Sequence, residues 1–594
     1  MSKAAKVAIA SICLILIGCL IATGVLTDWG NVKVSTICIA SEDGKTLSAN
    51  LFVPSNASND TPAPAVLVVH GYVNQKEHQN PLAIELSRRG YVVVALDMAG
   101  HGYSEELDKD GGVATGTSTD GVSDALKYLA TLPFVDTANI AVLGHSLGGI
   151  NSYCATIQNP GLVRTLVLVG SCPITPTMPD SNMCIIFDRC DEFTGAFWPV
   201  STASEIPGSD AAKAMFGTTE DVKLGTLYGD FADKTAKMLF TEETTHPGEI
   251  FRTMPIGDAI SFIESSSPSA NAVDPYSQVW QWNTFGTLLG LIGFVMSIFA
   301  FGALLLKTKF FSVLAQAPAA ESVRLKKSGW WVVGIITAAI PVFSFLKFFN
   351  GASMPATKLF PITYSNAMVV WSLVNAACFL VIFLVIHFAT KKSKTYAGNA
   401  VTYGLSTSSQ RAEFKWSHIG KTLLLAVATL GIPYVLLDIL NRTYHYDYRF
   451  IVVPFHPLDY THFKLFLVYL IPLFVFFLIT GTFMTSRLAT KAYTGWKAIL
   501  SYVAGFLLAS GGLIVLYLIL YIPMFSTGHF GLTWSVDLAI RAVASWQMIP
   551  LIGFTSIIAT FFYKKTSNVY LGAFISALFI TWYTVALNMI QIAL

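Results

Sequence analysis

Eight stretches of mostly apolar residues between position 284 and the C-terminus constrain this chain more than any other feature. They cover residues 284–306, 329–346, 367–389, 422–440, 465–484, 498–525, 542–563 and 569–594, and a ninth covers 7–26. A helix needs about 17–25 apolar residues to cross a hydrocarbon core. In that medium backbone groups must bond within their own segment, so runs of this kind are helices. Composition agrees: 53% of residues are hydrophobic and only 12% charged, against roughly 25% charged in ordinary soluble domains. About nine membrane helices are expected.

Charge placement sets a direction. With the N-terminus cytoplasmic, the inner segments 1–6, 307–328, 390–421, 485–497 and 564–568 hold 18 Lys and Arg, and the short outer loops hold 6. Lys307, Lys309, Lys326, Lys391, Arg487, Lys564 and Lys565 lie inside; Lys358, Arg442 and Arg449 lie outside. This is the positive-inside pattern. It predicts three parts: an N-terminal anchor (1–27), an extracytoplasmic α/β domain (28–275), and a polytopic all-α membrane domain (276–594), with the C-terminus also outside. A cleaved signal peptide is the alternative for the first run, whose apolar stretch exceeds the roughly 7–15 residues of such a peptide. The net charge of +2 gives no reason to expect nucleic acid.

The outer segment alternates strand and helix patterns. Residues 34–39 and 47–52 flank Asp43-Gly44 as a hairpin. Ala65-Val66-Leu67-Val68-Val69 and Tyr91-Val92-Val93-Val94-Ala95-Leu96 are continuous apolar strands of the buried parallel kind. Further strands fall at 140–143, 165–170 and 183–187, with helical patterns between. Such alternation builds a parallel sheet whose ligands sit at the strands' C-terminal ends. The strand at 140–143 ends in Gly144-His145-Ser146-Leu147-Gly148-Gly149. This is a G-x-S-x-G nucleophile elbow, in which small residues permit a sharp strand-to-helix turn and the helix N-terminus faces the serine.

Three motifs together resemble the α/β-hydrolase superfamily, nearest its esterase, monoacylglycerol-lipase-like and serine-aminopeptidase-like branches. They are His70-Gly71-Tyr72, Asp97-Met98-Ala99-Gly100-His101-Gly102-Tyr103-Ser104, and the elbow, each following a strand in that order. The likeness covers about residues 30–265; the membrane half resembles no family known to us. It implies a nucleophile, acid, histidine order with Ser146 as nucleophile. Only one histidine, His246, lies between Ser146 and the next apolar run, so it is the base by elimination as well as by resemblance. Asp188 and Asp191 both follow the strand ending at Phe187. The family's strand-Gly-x-x-Asp-x-Phe ending favours Asp191, with Asp188 in the glycine's place. By resemblance, the N–H groups of Tyr72 and Leu147 form the oxyanion hole, and the Tyr72 hydroxyl is either a third donor or part of the pocket wall.

His70, His101 and His145 read as structural or pocket-lining residues, and Asp97 as a turn cap. The family's helical lid is missing, because only about a dozen residues separate the strands at 165–170 and 183–187, an ordinary connection. Either residues 194–222 form a small cap, or the pocket is open, or the membrane half covers it. The outer loop 441–462 is rich in His, Asp and Tyr but matches no metal motif; it reads as an aromatic interface belt that helps cover the site. Tyr446 and His456 are its candidate substrate contacts, beside His70 and His145. No metal and no cofactor are expected. Cys184 and Cys190 either bridge a short loop or remain buried thiols.

The expected activity is a membrane-bound serine hydrolase that cleaves acyl esters of lipid-like molecules. Its partners are membrane lipids and an acyl substrate, and the oligomeric state is left open. Acyl transfer through the same acyl-enzyme and amide or peptide cleavage are alternatives, as is a transporter whose hydrolase-like domain only recognises ligand. Few ionisable residues fall within the apolar runs, which counts against ion-coupled transport.

Overall fold

The computed structural model describes residues 1–106, 119–268, 270–317, 325–488, 496–586 and 589–592. After helix α1 (Lys3–Leu26) come eight strands. They are β1 (Val32–Ala40), β2 (Thr46–Pro54), β3 (Ala63–Val69), β4 (Val92–Leu96), β5 (Val135–His145), β6 (Thr165–Val169), β7 (Asn182–Ile186) and β8 (Lys237–Phe240). They form one sheet in the order β1-β2-β4-β3-β5-β6-β7-β8. β1 and β2 are the expected hairpin, β2 pairs antiparallel with β4, and every other pairing is parallel. This is the α/β-hydrolase fold with a mostly parallel sheet.

The continuous apolar runs follow from burial on both faces. Leu67, Val94, Val142, Leu166 and Ile185 enter one core, while Val66, Val93, Leu143, Val167 and Ile186 enter the other, as the two-residue period of a strand requires. Helices α2 (Asn80–Arg88), α3 (Val122–Thr131), α4 (Leu147–Gln158), α5 (Thr194–Phe197), α6 (Asp210–Phe216) and α7 (Thr253–Ser266) cover the two faces or join the strands. All eight cysteines are free thiols, so no bridge joins Cys184 and Cys190. Cys184 points into the sheet's core, and the Cys190 thiol instead faces the Met524 carbonyl.

The rest of the chain is helical: α8 (Trp280–Leu305), α9 (Lys327–Phe348), α10 (Thr363–Thr390), α11 (Trp416–Tyr444), α12 (Tyr460–Ser486), α13 (Lys497–Thr527), α14 (Val536–Thr566) and α15 (Tyr570–Ala586). Among the described residues eight helices, α1 included, are long and apolar enough to cross a membrane. The ninth expected span differs. α15 has only 17 residues and all but Phe574 are buried, so its hydrophobicity serves mainly protein packing rather than lipid contact. Residues 589–592 leave it to meet the hydrolase domain, while 587–588 and 593–594 lie outside the described residues.

α1 lies against α8 through small residues. A Cβ on Gly286 would stand 2.6 Å from the Gly18 carbonyl oxygen, and one on Gly293 would stand 2.6 Å from that of Ser11. Close backbone approach of this kind is how helices associate where lipid offers no hydrophobic drive. Between α11 and α12 the outer loop forms a small ribbon, β9 (Tyr448–Phe450) and β10 (Val453–Phe455). Its tyrosines divide: Tyr444 and Tyr460, at the helix ends, stay exposed as an interface belt requires, and two others turn inward. Tyr446 and Tyr448 are buried, and their hydroxyls donate to the carbonyls of Gly286 and Pro433. Tyr446 fits there because a Cβ on Gly290 would overlap its hydroxyl at 1.9 Å.

Gly286→Val should cost about 1–3 kcal/mol or more by overpacking and lower the thermal midpoint in detergent. Gly420→Val, at a position with nothing within 4 Å, is the control and should leave the midpoint near wild type.

Candidate active site

The β5–α4 turn places Ser146 at φ +55° and ψ −121°, a strained conformation for a residue with a side chain. Its neighbours explain why the turn needs glycine. A Cβ on Gly144 would stand 2.2 Å from the Gly148 oxygen, and one on Gly148 would stand 2.3 Å from the His70 oxygen. Leu147 begins α4, so its N–H has no acceptor within the helix. Gly71 abuts the nucleophile: a Cβ there would be 3.1 Å from the Ser146 Cβ. Tyr72 follows on the same cavity wall.

His246 stands in a tight turn (His246–Gly248) after β8, and its side chain is buried. Its Nδ1–H donates to Asp191 Oδ2 at 2.7 Å, which leaves Nε2 as the basic nitrogen. Burial lowers the pKa of the imidazole, but the charge and hydrogen bond of Asp191 outweigh burial and raise it above 6.5. Asp188 is turned elsewhere and accepts the N–H of Glu242 at 2.7 Å. Between the two candidate acids, the geometry puts Asp191 on the histidine. The β7 and β8 extensions bring them together: Cys190 pairs with Thr245 in a parallel bridge.

Ser146, Tyr72, His145 and His246 face one cavity of about 100 Å³. Its far wall is the helical half: Tyr364 on α10, Ile540, Val543, Ala544 and Gln547 on α14, and Tyr583 on α15. The outer loop adds Arg449, Val452 and Pro454. Of the three alternatives for the cover, the structure takes the last: the helical half supplies it. Trp198, Met215 and Phe216 of the segment 194–222 pack into the sheet's core instead.

Four sequence-based expectations change. His70 does not line the cavity; its Nδ1–H donates to the Gly71 carbonyl and its Nε2 accepts the Met98 N–H, so it braces two loops beneath the site. Tyr446 wedges α8 as described above, and His456 is buried between Tyr103 and Asn441, away from the lining. Tyr72 keeps the second of its two readings: it forms part of the cavity wall, its hydroxyl bonded to Thr363 and Gln591. Asp97 does more than cap a turn, because it also forms a buried ion pair with Lys76. His145 does line the cavity, and its Nε2–H donates to the His246 carbonyl.

The carboxyl groups packed behind this set carry no motif or spacing by which they could be read beforehand. Glu192 is buried, accepts the His246 backbone N–H through Oε2, and receives the Tyr521 hydroxyl of α13 at 2.6 Å through Oε1. Burial, then repulsion from Asp191, pushes Glu192 up to about 7. Asp188 is pushed up to about 8, chiefly by burial. Glu249, one turn after His246, accepts the Asp188 N–H at 3.0 Å and is raised well above the carboxylate range by burial, then by Asp191. Carboxyls raised in this way favour the folded state while protonated, and that contribution is lost as pH rises through their values. His145, His246 and Glu249 also bring donor atoms within 4.8 Å of one another, the one such group among the described residues. A metal there would have to displace the His246–Asp191 bond.

Residues 64–221 match the family model described as the alpha/beta hydrolase fold. The chain is 31% identical over 114 residues to 2-(acetamidomethylene)succinate hydrolase of Mesorhizobium japonicum, covering 19% of this chain and 38% of that protein. It is 28% identical over 155 residues to the sn-1-specific diacylglycerol lipase ABHD11 of Mus musculus, covering 26% of this chain and 45% of that one. The chain thus spans less than half the length of these curated relatives. The structure of the Pyrococcus furiosus esterase Pf2001 aligns over 41% of this chain and 95% of its own, at 14% identity and a TM-score of 0.30.

Tyr521→Phe removes the hydroxyl donated to Glu192 without changing the ring. Turnover should fall about tenfold with little change in KM, the scale of one lost hydrogen bond to an acidic group. Steady-state kinetics with a chromogenic ester checks this, and an unchanged kcat would show that α13 does not hold the histidine in place.

Proposed function

We propose that this chain is a membrane-bound serine hydrolase that cleaves acyl esters of lipid-like molecules. The observation that carries this reading is the Ser146 elbow facing the same cavity as His246, whose Nδ1 is bonded to Asp191. The outer wall of that cavity is built from the ends of apolar helices. A substrate reaching it meets Ile540, Val543 and Ala544 on the apolar side, with Gln547 and Arg449 for a polar head. The printed name of the mouse relative, a diacylglycerol lipase, points the same way.

In this mechanism Ser146 Oγ attacks the ester carbonyl carbon as His246 Nε2 takes its proton. The N–H groups of Tyr72 and Leu147 receive the oxyanion of the tetrahedral intermediate. Asp191 holds the imidazole in its tautomer and stabilises the imidazolium. Collapse expels the alcohol, which takes the proton from His246. Water, deprotonated by the same nitrogen, then attacks the acyl-enzyme and releases the carboxylic acid. The helical cover favours one second reading, in which an alcohol replaces water as acceptor; product analysis with and without added alcohol separates the two.

For topology we propose a cytoplasmic N-terminus with the hydrolase domain outside, in line with the distribution of Lys and Arg. Residues 589–592 support an outer position for the end of α15, because Ile590 bonds Gly100 and Gln591 bonds Tyr72. The docking of α1 on α8 supports a retained anchor rather than a cleaved signal peptide.

A fluorophosphonate probe should label intact cells in a manner lost in Ser146→Ala. Absence of Ser146-dependent labelling would overturn the mechanism, and labelling only after permeabilisation would overturn the topology. Asp191→Asn should lower kcat by about 10⁴, whereas Asp188→Asn, which lies off the histidine, should lower it far less. Because His246 must be neutral to accept the proton and its pKa is raised, the acid limb of kcat/KM should fall above pH 6.5, with activity lost as pH drops through it.

A further inference from the structure

A second cavity, of about 230 Å³, lies inside the helical half among α9, α10, α12, α13, α14 and α15. It has more than twice the volume of the catalytic cavity. An engineered apolar void of about 150 Å³ already takes up a benzene ring. Its walls combine Trp371, Phe379 and Phe476 with a series of hydroxyls. Most of those hydroxyls are already committed as donors, among them Thr480 to Phe476 O, Thr555 to Ile552 O and Ser556 to Gly553 O. A wall whose donors are satisfied within its own helices accepts hydrocarbon without leaving polar groups unpaired.

One end of the cavity is charged. Lys564 lines it, donates from Nζ to Ser501 Oγ at 2.8 Å, and lies over the Tyr502 ring. Among the described residues no carboxylate pairs with it within 4.0 Å. On α14 the lining runs from Ile552 to Lys564, about 18 Å at the helical rise. That is close to one leaflet's share of a hydrocarbon core about 30 Å thick. The two cavities use the same three helices. The catalytic one takes Tyr364, Gln547 and Tyr583, and this one takes Trp371, Ile552 and Ser576, about two turns or less further along each. The charged end is the end away from the hydrolase domain.

We propose that this cavity is a binding site for a single-chain anionic amphiphile. The carboxylate or phosphate head sits at Lys564 and Ser501, and the alkyl chain runs between α10, α12 and α14 toward Trp371. A carboxylate amphiphile is also the acid that ester hydrolysis would release, but the site stands on its own lining and does not rest on the hydrolase reading.

The test uses the full chain in detergent with Ser146→Ala in the background, so that binding is read without turnover. Photocrosslinking with a diazirine-bearing palmitic acid, mapped by mass spectrometry, should place adducts on α10, α12 and α14 between residues 371 and 564. Lys564→Gln should weaken oleate and lysophosphatidate about tenfold or more, the scale of a charge-assisted hydrogen bond, and leave neutral monoolein within about twofold; Lys564→Arg should restore the anions. Oleate and lysophosphatidate, titrated separately, show whether a carboxylate or a phosphate head binds better. Gly505→Leu, which projects toward Ser556, should weaken all three ligands. The size-exclusion profile and thermal midpoint of the same variants in detergent report folding independently of any catalytic activity. Adducts confined to lipid-facing positions, or anion binding insensitive to both Lys564→Gln and Gly505→Leu in folded protein, would overturn the proposal.

Discussion

The crossing of β5 and α4 at Ser146 depends on a backbone approach that no side chain can enter. Gly144 faces Gly148, and Gly148 faces the strand end at Val69 and His70, at separations that a single Cβ would close to 2.2–2.7 Å. The turn presents the Ser146 side chain at positive φ, and the loop at Gly71 presses against it, a Cβ there standing 3.1 Å from the Ser146 Cβ. A Cβ on Gly170 would meet the His246 ring at 2.8 Å. The Ser146 turn is thus held by contacts made of backbone at Gly144 and Gly148, and the bare Gly170 leaves room for the His246 ring and the Glu249 carboxyl.

Behind that turn the site is held by carboxyl groups whose charge the fold suppresses. Glu192 ties the His246 backbone to Tyr521 on α13, and the Trp534 indole donates to the Glu192 carbonyl. The Arg189 guanidinium reaches the Phe525 carbonyl at the end of the same helix. The loop that carries Asp191 is therefore shared between the sheet and the helical half. A shift of α13 along its axis would be felt at the base within two hydrogen bonds. The opposite wall is tied in the same manner by Tyr72 to Thr363 and Gln591.

Legibility in the sequence followed the range of the interaction. Ser146 was readable because the glycines that its turn requires are within two positions of it. His246 was readable because no other histidine competes in its stretch, and Asp191 because a strand ends just before it. Glu192 and Glu249 carried no signal, since burial of a carboxyl beside His246 and Asp191 is decided by segments more than fifty residues away. Tyr446 and His456 drew attention through their residue type, yet Arg449, Val452 and Pro454 of the same loop face the cavity. A loop's composition says that it is structured; which side chains turn inward depends on the ribbon that β9 and β10 form.

By itself the sequence determined the two-part architecture, because hydrophobic period and run length act locally and need no partner to be read. It determined the order of strands along the chain and the elbow for the same reason. Only the tertiary structure decided what covers the site, which acid the histidine takes, and that the last apolar run is a short buried helix rather than a lipid-facing span. Those outcomes come from packing between segments hundreds of residues apart, where the free energy depends on shape and on satisfied hydrogen bonds. Neither is written in the order of residues along either segment alone.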